Sequence, residues 1–274
     1  MITFPNAKIN IGLDIINRRS DGYHNISTVM VPIPWADILE IVPAKTPETT
    51  LTVTGRTVDC PSDKNLVMKA YRALNSVIPL PPLEIHLHKI IPDGAGLGGG
   101  SADAAFTLTT INNLLQLGLS TDRMAEIASG IGADCPFFIY NSPMMATGIG
   151  TDLTPVNIDL SQYKIIVVKP SVLVPTKEAY AGVTPAMPEK NLADLIHLPT
   201  EQWQGYIKND FEKSIADKHP QIADIKQAML DSGAVYASMS GSGSAVYGLW
   251  KRDNMAELPS NVLQQCAVFQ ANMN

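Results

Sequence analysis

Residues 94–100 read GAGLGGG, five glycines in seven positions, and run directly into Ser101, Ala102 and Asp103. Upstream, LEIHLHKII alternates as a strand does: Leu83, Ile85, Leu87 and Ile91 share one face, Glu84, His86 and His88 the other, and Lys89 interrupts the apolar series. Downstream, Ala104, Ala105, Leu108, Ile111, Leu114 and Leu115 recur at helical spacing and stop near Gly118. A strand, a bare turn and a helix start together make an anion site. The first helical N–H groups lack internal acceptors, the helix dipole favours negative charge, and glycine lets the backbone reach the ligand. One or two glycines would fit an ordinary tight connection. Five, with Ser101 and Asp103 at the helix start, point to a bound anion.

The stretch GAGLGG formally matches the dinucleotide fingerprint GxGxxG, but the context differs. The preceding strand alternates instead of being apolar throughout, and no acidic residue closes a second strand at the expected distance. A nicotinamide enzyme is therefore the second reading. A Walker A loop is excluded because no lysine follows Gly100, and the protein-kinase triplets HRD and DFG do not occur.

Two further polar groups stand out. In AKINIGLDI, Ile9, Ile11, Leu13 and Ile15 fall on one face of a strand and Lys8, Asn10, Gly12 and Asp14 on the other, so Lys8 and Asn10 can reach one site. His86 and His88 share a strand face, yet no third ligand accompanies them, which argues against a metal pair.

These residues need elements to hold them. SDGYH at 20–24 signals a turn and ISTVMVPI a second strand, giving a hairpin start, with further short strands over 37–58. SDKNLVMKAYRALNSV predicts a helix with Leu66, Ala70, Leu74 and Val77 on one face and Ser62 or Asp63 as its cap. STDRMAEIASGIG predicts a shorter helix capped at Ser120 or Thr121, and CPFFIY a strand, so Asp134 is expected in a constrained turn leading into that strand. Composition turns to Asn, Pro, Gly and Thr around 141–157, which sets the expected domains at 1–152 and 153–274. Beyond it, strand YKIIVVK, helices near 201–217 and 220–231, strands at 235–239 and 245–250 flanking the loop SGSGS, and a closing helix and strand give a small α+β sandwich.

Composition bounds the partners. Lys plus Arg number 20 against 26 Asp plus Glu, a net charge of −6, and no basic block marks a nucleic-acid footprint. The chain is 45% hydrophobic and 17% charged, without an apolar run of membrane-spanning length. Lys8 falls where a signal peptide would need its apolar core, so the expected location is the cytoplasm. Cys60, Cys135 and Cys266 form no CxxC pair and are expected as reduced thiols.

KIIPDGAGLGGGSADAA, from Lys89, resembles the ATP-binding motif of the GHMP kinases, which act on small molecules. AKINIGLDI with RRSDGYHNI, then GADCPFF, VLVPTKEAY, NDFE and MSGSGSAVYGL resemble, in order along the chain, the branch of that family acting on diphosphocytidyl methylerythritol. Two departures bear on the site. Ala102 stands where the family usually has a second serine, and Ile149, Gly150 and Thr151 stand where Arg-Gly-Glu is expected.

The resemblance implies an α+β fold of two domains, the N-terminal one like ribosomal protein S5 and the C-terminal one a ferredoxin-like sandwich. It implies ATP-dependent phosphorylation of the 2-hydroxyl of the methylerythritol moiety, a step toward isoprenoid precursors by the non-mevalonate route. ATP with Mg²⁺ and the diphosphocytidyl alcohol are the implied partners, without nucleic acid or membrane, for a monomer or homodimer. Pro92, Asp93, Gly94, Ala95, Gly96, Leu97, Gly98, Gly99, Gly100 and Ser101 would cradle the phosphates, with Ser101 donating a hydroxyl bond or approaching Mg²⁺. Asn65 and Leu66 would lie beside the adenine and Lys89 near the nucleotide, although Leu66 equally suits a core leucine. Asp134 would accept the substrate's hydroxyl proton while Lys8 keeps it ionised, with Asn10 alongside. Tyr23 and His24 would recognise the cytosine, with Thr176 near and Tyr180 as a second aromatic wall; Tyr180 equally suits a packed helix residue. The SGSGS loop would close against the phosphate site.

Overall fold

The computed structural model describes residues 1–57, 60–254 and 257–273, which leaves out Val58 at the end of the expected 37–58 strands and part of the expected closing helix. The early strands are β1 (Ile2–Thr3), β2 (Asn6–Arg18), β3 (His24–Ala36), β4 (Ile38–Pro43), β5 (Thr50–Gly55) and β6 (Leu83–Lys89). Later ones are β7 (Met144–Thr147), β8 (Asp152–Pro155), β9 (Tyr163–Lys169), β10 (Tyr236–Met239), β11 (Val246–Lys251) and β12 (Ala267–Asn272). The first helices are α1 (Leu66–Val77), α2 (Gly99–Leu114), α3 (Thr121–Ser129) and α4 (Cys135–Tyr140). They are followed by α5 (Thr176–Ala181), α6 (Leu192–Leu195), α7 (Trp203–Tyr206), α8 (Glu212–Lys218) and α9 (Pro220–Asp231). Among the described residues, no helix is long and apolar enough to cross a membrane.

Rather than parting at one cut near residue 152, the chain divides into two compact units, each assembled from separate stretches. The first comprises Met1–Ala7, Trp35–Asp93 and Gly98–Ser142; the second comprises Lys8–Pro34, Gly94–Leu97 and Pro143–Asn274.

In the first unit the sheet runs β1-β4-β6-β5, with β5 parallel to β6 and the other pairs antiparallel. β6 alternates as expected, burying Leu83, Ile85 and Leu87, and buries Lys89 too. Helix α1 begins one turn later than the expected caps, because Asn65 Oδ1 accepts the Val67 N–H at 2.9 Å while Ser62–Lys64 form a short 3-10 turn. Val77 is exposed instead of continuing the buried stripe. The expected strand CPFFIY is helix α4. An apolar run of that length carries no decisive period, and Pro136, which has no N–H to bond, suits a first helical turn. Asn141, at φ 47°, ends it in the left-handed conformation.

The second unit holds two sheets, β2-β3-β7-β8 and β10-β11-β9-β12. Strand β2 is buried on both faces from Ala7 to Ile15, not on one. Its polar face is covered inside this unit: the Cβ that Gly12 lacks would lie 2.8 Å from Leu192 and 2.9 Å from Ile207. The single helix expected near 201–217 is broken into a 3-10 turn, α7 and α8, and in the gap Asn209 pairs in parallel with Leu13. Phe211, Ile215, Ile222, Ile225 and Met229 pack with Trp250 and Val246 into a core under the second sheet. No closing helix occurs among the described residues between β11 and β12.

Candidate active site

In the second unit, Lys8 and Asn10 emerge from β2 as the period-two pattern requires, and both are buried. Lys8 Nζ donates to Asn10 Oδ1 at 2.5 Å and to the Gly96 carbonyl at 2.9 Å. Asn10 Nδ2 donates to Thr28 Oγ1 at 3.0 Å, which fixes the amide with its oxygen toward the lysine. Thr28 Oγ1 donates to the Gly12 carbonyl at 2.6 Å, and Tyr247 Oη donates to the Asn10 carbonyl at 2.8 Å. The lysine is thus held in one place by a chain of satisfied buried groups.

The glycine segment 94–97 and the SGSGS loop meet directly within this unit. Ser240 Oγ donates to the Gly96 carbonyl at 2.8 Å, and the Ala245 N–H donates to the Ala95 carbonyl at 3.1 Å. Gly96 has φ +72°, and a Cβ there would lie 2.0 Å from the Ser240 carbonyl oxygen, so the close approach admits glycine alone. Behind the loop, Asn209 Nδ2 donates to the Met239 and Gly241 carbonyls at 2.9 and 2.8 Å. Glu212 Oε1 accepts the Met239 N–H at 2.7 Å. Sequence reasoning assigned no role to Ser240, Tyr247, Asn209 or Glu212. The polar run NDFE and the serines of SGSGS were the available signal, and each turns out to tie a loop in place.

The residues expected to recognise the cytosine also lie in this unit. Asp21 Oδ1 accepts the Tyr23 N–H at 3.1 Å and shapes the turn that leaves Tyr23 62% exposed. His24 stacks on Tyr180 with centroids 4.8 Å apart and planes 20° from parallel, and Tyr180 meets Phe211 edge-on. Thr176 Oγ1 lies 3.4 Å from Ser242 Oγ, placing the start of α5 at the SGSGS loop. The Tyr180 ring is therefore packed against Phe211 and stacked on His24.

In the first unit, β6 and α2 flank the glycine run. Gly98, at φ +71°, stands at the α2 N-cap, and Leu66 lies 3.5 Å from where a Gly100 Cβ would be. Asn65 spends its carbonyl oxygen on the α1 cap. Pro92 is buried, while Asp93 is exposed. Lys89, expected near the nucleotide, is 3% exposed, with its ammonium paired to Asp37 at 2.5 Å and Asp103 at 2.8 Å. Burial, with the charge of Asp37 beside it, pushes the Asp103 carboxyl up to about 8 against the pull of Lys89.

Asp134 sits at the N-cap position of α4, half-buried, at φ −84° and ψ −11°. The expectation of a constrained turn holds, but a helix follows it. The next residue, Cys135, hydrogen-bonds with Ser101, so the Asp134 turn lies against the first turn of α2. Burial raises the Cys135 thiol to about 11, against the pull of the Ser101 hydrogen bond. Ala102 is fully buried and brings no hydroxyl. Among the described residues, no group of three His, Cys, Asp or Glu side chains could hold a metal.

A family model described as GHMP kinases N terminal domain matches residues 65–142, and one described as GHMP kinases C terminal matches residues 183–267. A 4-diphosphocytidyl-2-C-methyl-D-erythritol kinase of Parabacteroides distasonis is 53% identical over 252 residues, 92% of each chain. One from Azobacteroides pseudotrichonymphae is 49% identical over 92% of this chain and 94% of its own. A crystal structure of 4-(cytidine 5'-diphospho)-2C-methyl-D-erythritol kinase superposes with a TM-score of 0.83 at 28% identity, covering 98% of both chains. The fold is the mixed α+β architecture of these enzymes, and the family's activity implies use of ATP. The chain belongs to the GHMP kinases, in the family of the 4-diphosphocytidyl-2-C-methyl-D-erythritol kinases.

Proposed function

We propose that this chain transfers the γ-phosphoryl group of ATP to the 2-hydroxyl of 4-diphosphocytidyl-2-C-methyl-D-erythritol. The observation that carries the reading is the Gly96 carbonyl, gripped by both Lys8 and Ser240. It supplies the rigid glycine backbone that phosphoryl transfer needs beside a buried cation. The relatives' names supply the alcohol.

In this reading the backbone of residues 94–100 and the Ser101 hydroxyl hold the phosphates. The hydroxyl oxygen bonds to the γ-phosphorus as the bond to the β,γ-bridging oxygen breaks, ADP leaves, and the hydroxyl proton passes to Asp134. Lys8, fixed by Asn10, offsets the negative charge. Since a loose transition state needs little early deprotonation, orientation matters more than basicity at Asp134. Mg²⁺, bound with ATP, would neutralise phosphate charge, with Ser101 as its protein contact. Tyr23, His24 and Tyr180 hold the cytosine by stacking and hydrogen bonding, with Thr176 beside them. We place the reaction in the cytoplasm, with the chain acting as monomer or homodimer.

The test is ADP release with the diphosphocytidyl alcohol, mevalonate, homoserine and galactose offered in parallel. Turnover with the first alone is expected, and Asp134→Asn should lower it by roughly 100-fold or more without weakening ATP binding. Turnover confined to the other three alcohols would assign the chain a different substrate.

A further inference from the structure

Lys89 closes β6, five residues before the glycine run, and Asp103 lies in α2, three residues after it. Asp37 lies between β3 and β4 and is fully buried. Its two oxygens divide their work: Oδ2 takes the Lys89 ammonium at 2.5 Å, while Oδ1 accepts the N–H groups of Ile90 and Ile91 at 2.5 and 2.8 Å. The Ile90 carbonyl in turn accepts Arg56 Nε at 2.8 Å. Lys89 Nζ reaches on to Asp103 Oδ2 and lies 3.4 Å from where a Gly99 Cβ would be. Asp103 Oδ1 is buried without a hydrogen-bond partner. Both flanks of the glycine run are therefore bound to one cluster of three side chains, each no more than 4% exposed.

We infer that Lys89, Asp37 and Asp103 are positioning residues that set the phosphate-binding loop by joining its incoming strand to its outgoing helix, and that Lys89 does not itself contact the nucleotide. The inference rests on the reading of residues 94–101 as the ATP site. It differs from a merely structural role because an effect on the loop should appear in ATP affinity and not in affinity for the alcohol. It also differs from a direct lysine–phosphate contact in what a second substitution does. Lys89→Met leaves Asp37 and Asp103 buried without their shared cation. Adding Asp37→Asn removes one acid while keeping an oxygen for the Ile90 and Ile91 N–H groups, and Asp103, whose carboxyl burial pushes up to about 8, then carries a proton near neutral pH; neutral replacement of a whole buried ion pair is commonly tolerated where removal of one partner is not. The two changes should therefore be strongly non-additive.

The experiment measures ATP dissociation constants by calorimetry, and those of the alcohol separately, for the full chain and its variants. Lys89→Met is expected to weaken ATP about tenfold or more, with alcohol affinity unchanged. The double variant Lys89→Met with Asp37→Asn is expected to bind ATP within about threefold of the unaltered chain. If Lys89→Met alone fails to fold, the double variant decides the matter. Loss of ATP binding in the folded double variant would overturn the inference, because it is what a direct contact requires. So would equal weakening of both ligands by Lys89→Met. Because ATP binding is read without turnover, failure of the alcohol to react would sink the proposed substrate and leave this test intact.

Discussion

Lys8 Nζ and Ser240 Oγ converge on one acceptor, the Gly96 carbonyl, at 2.9 and 2.8 Å. Residues 232 positions apart in the chain are thereby set on the same backbone atom of the glycine run, since 240 − 8 = 232. A shift of either Lys8 or Ser240 would therefore be felt at the glycine run.

Lys8→Met keeps the side chain's bulk but removes its donors, leaving Asn10 Oδ1 without its lysine partner and the Gly96 carbonyl with Ser240 Oγ. Turnover should fall roughly 100-fold. Stability should fall by about 1–3 kcal/mol, the cost of an unsatisfied buried group. Steady-state kinetics and urea unfolding read the two effects separately, and turnover within a fewfold of normal would remove Lys8 from the reaction.

Gly96→Ala meets two obstacles, a left-handed φ of +72° and a backbone oxygen 2.0 Å from the new methyl. The first alone costs about 1–2 kcal/mol. The second forces the SGSGS loop outward, so KM for ATP should rise by more than about tenfold, the equivalent of roughly 1.4 kcal/mol. An unchanged KM would show that this close approach does not matter to nucleotide binding.

His24→Ala removes one member of the stack with Tyr180, an interaction of about 0.5–1.5 kcal/mol. KM for the cytidyl substrate should rise about two- to tenfold while KM for ATP stays put. Tyr23→Ala, at an exposed ring, should give the same substrate-selective defect without lowering the melting temperature. A defect in ATP alone would contradict both placements.

The Asp14 carboxyl is pushed up to about 6 by burial and by the charge of Asp210, with Lys208 pulling the other way. Its usual value is 3.8, so between the two values the folded chain holds a proton that the unfolded chain has released. Its contribution to stability is present in acid and is lost as pH rises from about 4 through about 6. Asp14→Asn should therefore raise stability at pH 7, by about 1–3 kcal/mol, and make little difference near pH 4. Unfolding free energies at the two pH values check this, and equal effects at both would be incompatible with the shift.

Much of the site could be read from residue type and period. The alternation of β2 put Lys8 and Asn10 on one face, and the glycine density announced a turn where backbone comes close to something else. Periodicity failed where it had nothing to work on. CPFFIY is apolar on every side, so its helical state follows from Pro136 and from its surroundings, not from a pattern. Burial of both faces of β2 was illegible because Lys8 and Asn10 look solvent-facing until their partners at Gly96 and Thr28 are known. The same holds for Lys89: a lysine beside a phosphate loop invites a nucleotide contact, and only long-range folding brings up Asp37, 52 residues earlier, to claim its charge.

The interleaved make-up of the two units restricts how this chain can be divided. Residues 8–34 and 94–97 belong with 143–274, so a single cleavage after residue 142 would strip the C-terminal fragment of β2, β3 and the glycine segment against which its SGSGS loop rests. Gene fission at the apparent seam should therefore yield insoluble halves, because neither fragment carries all the strands of its own sheets.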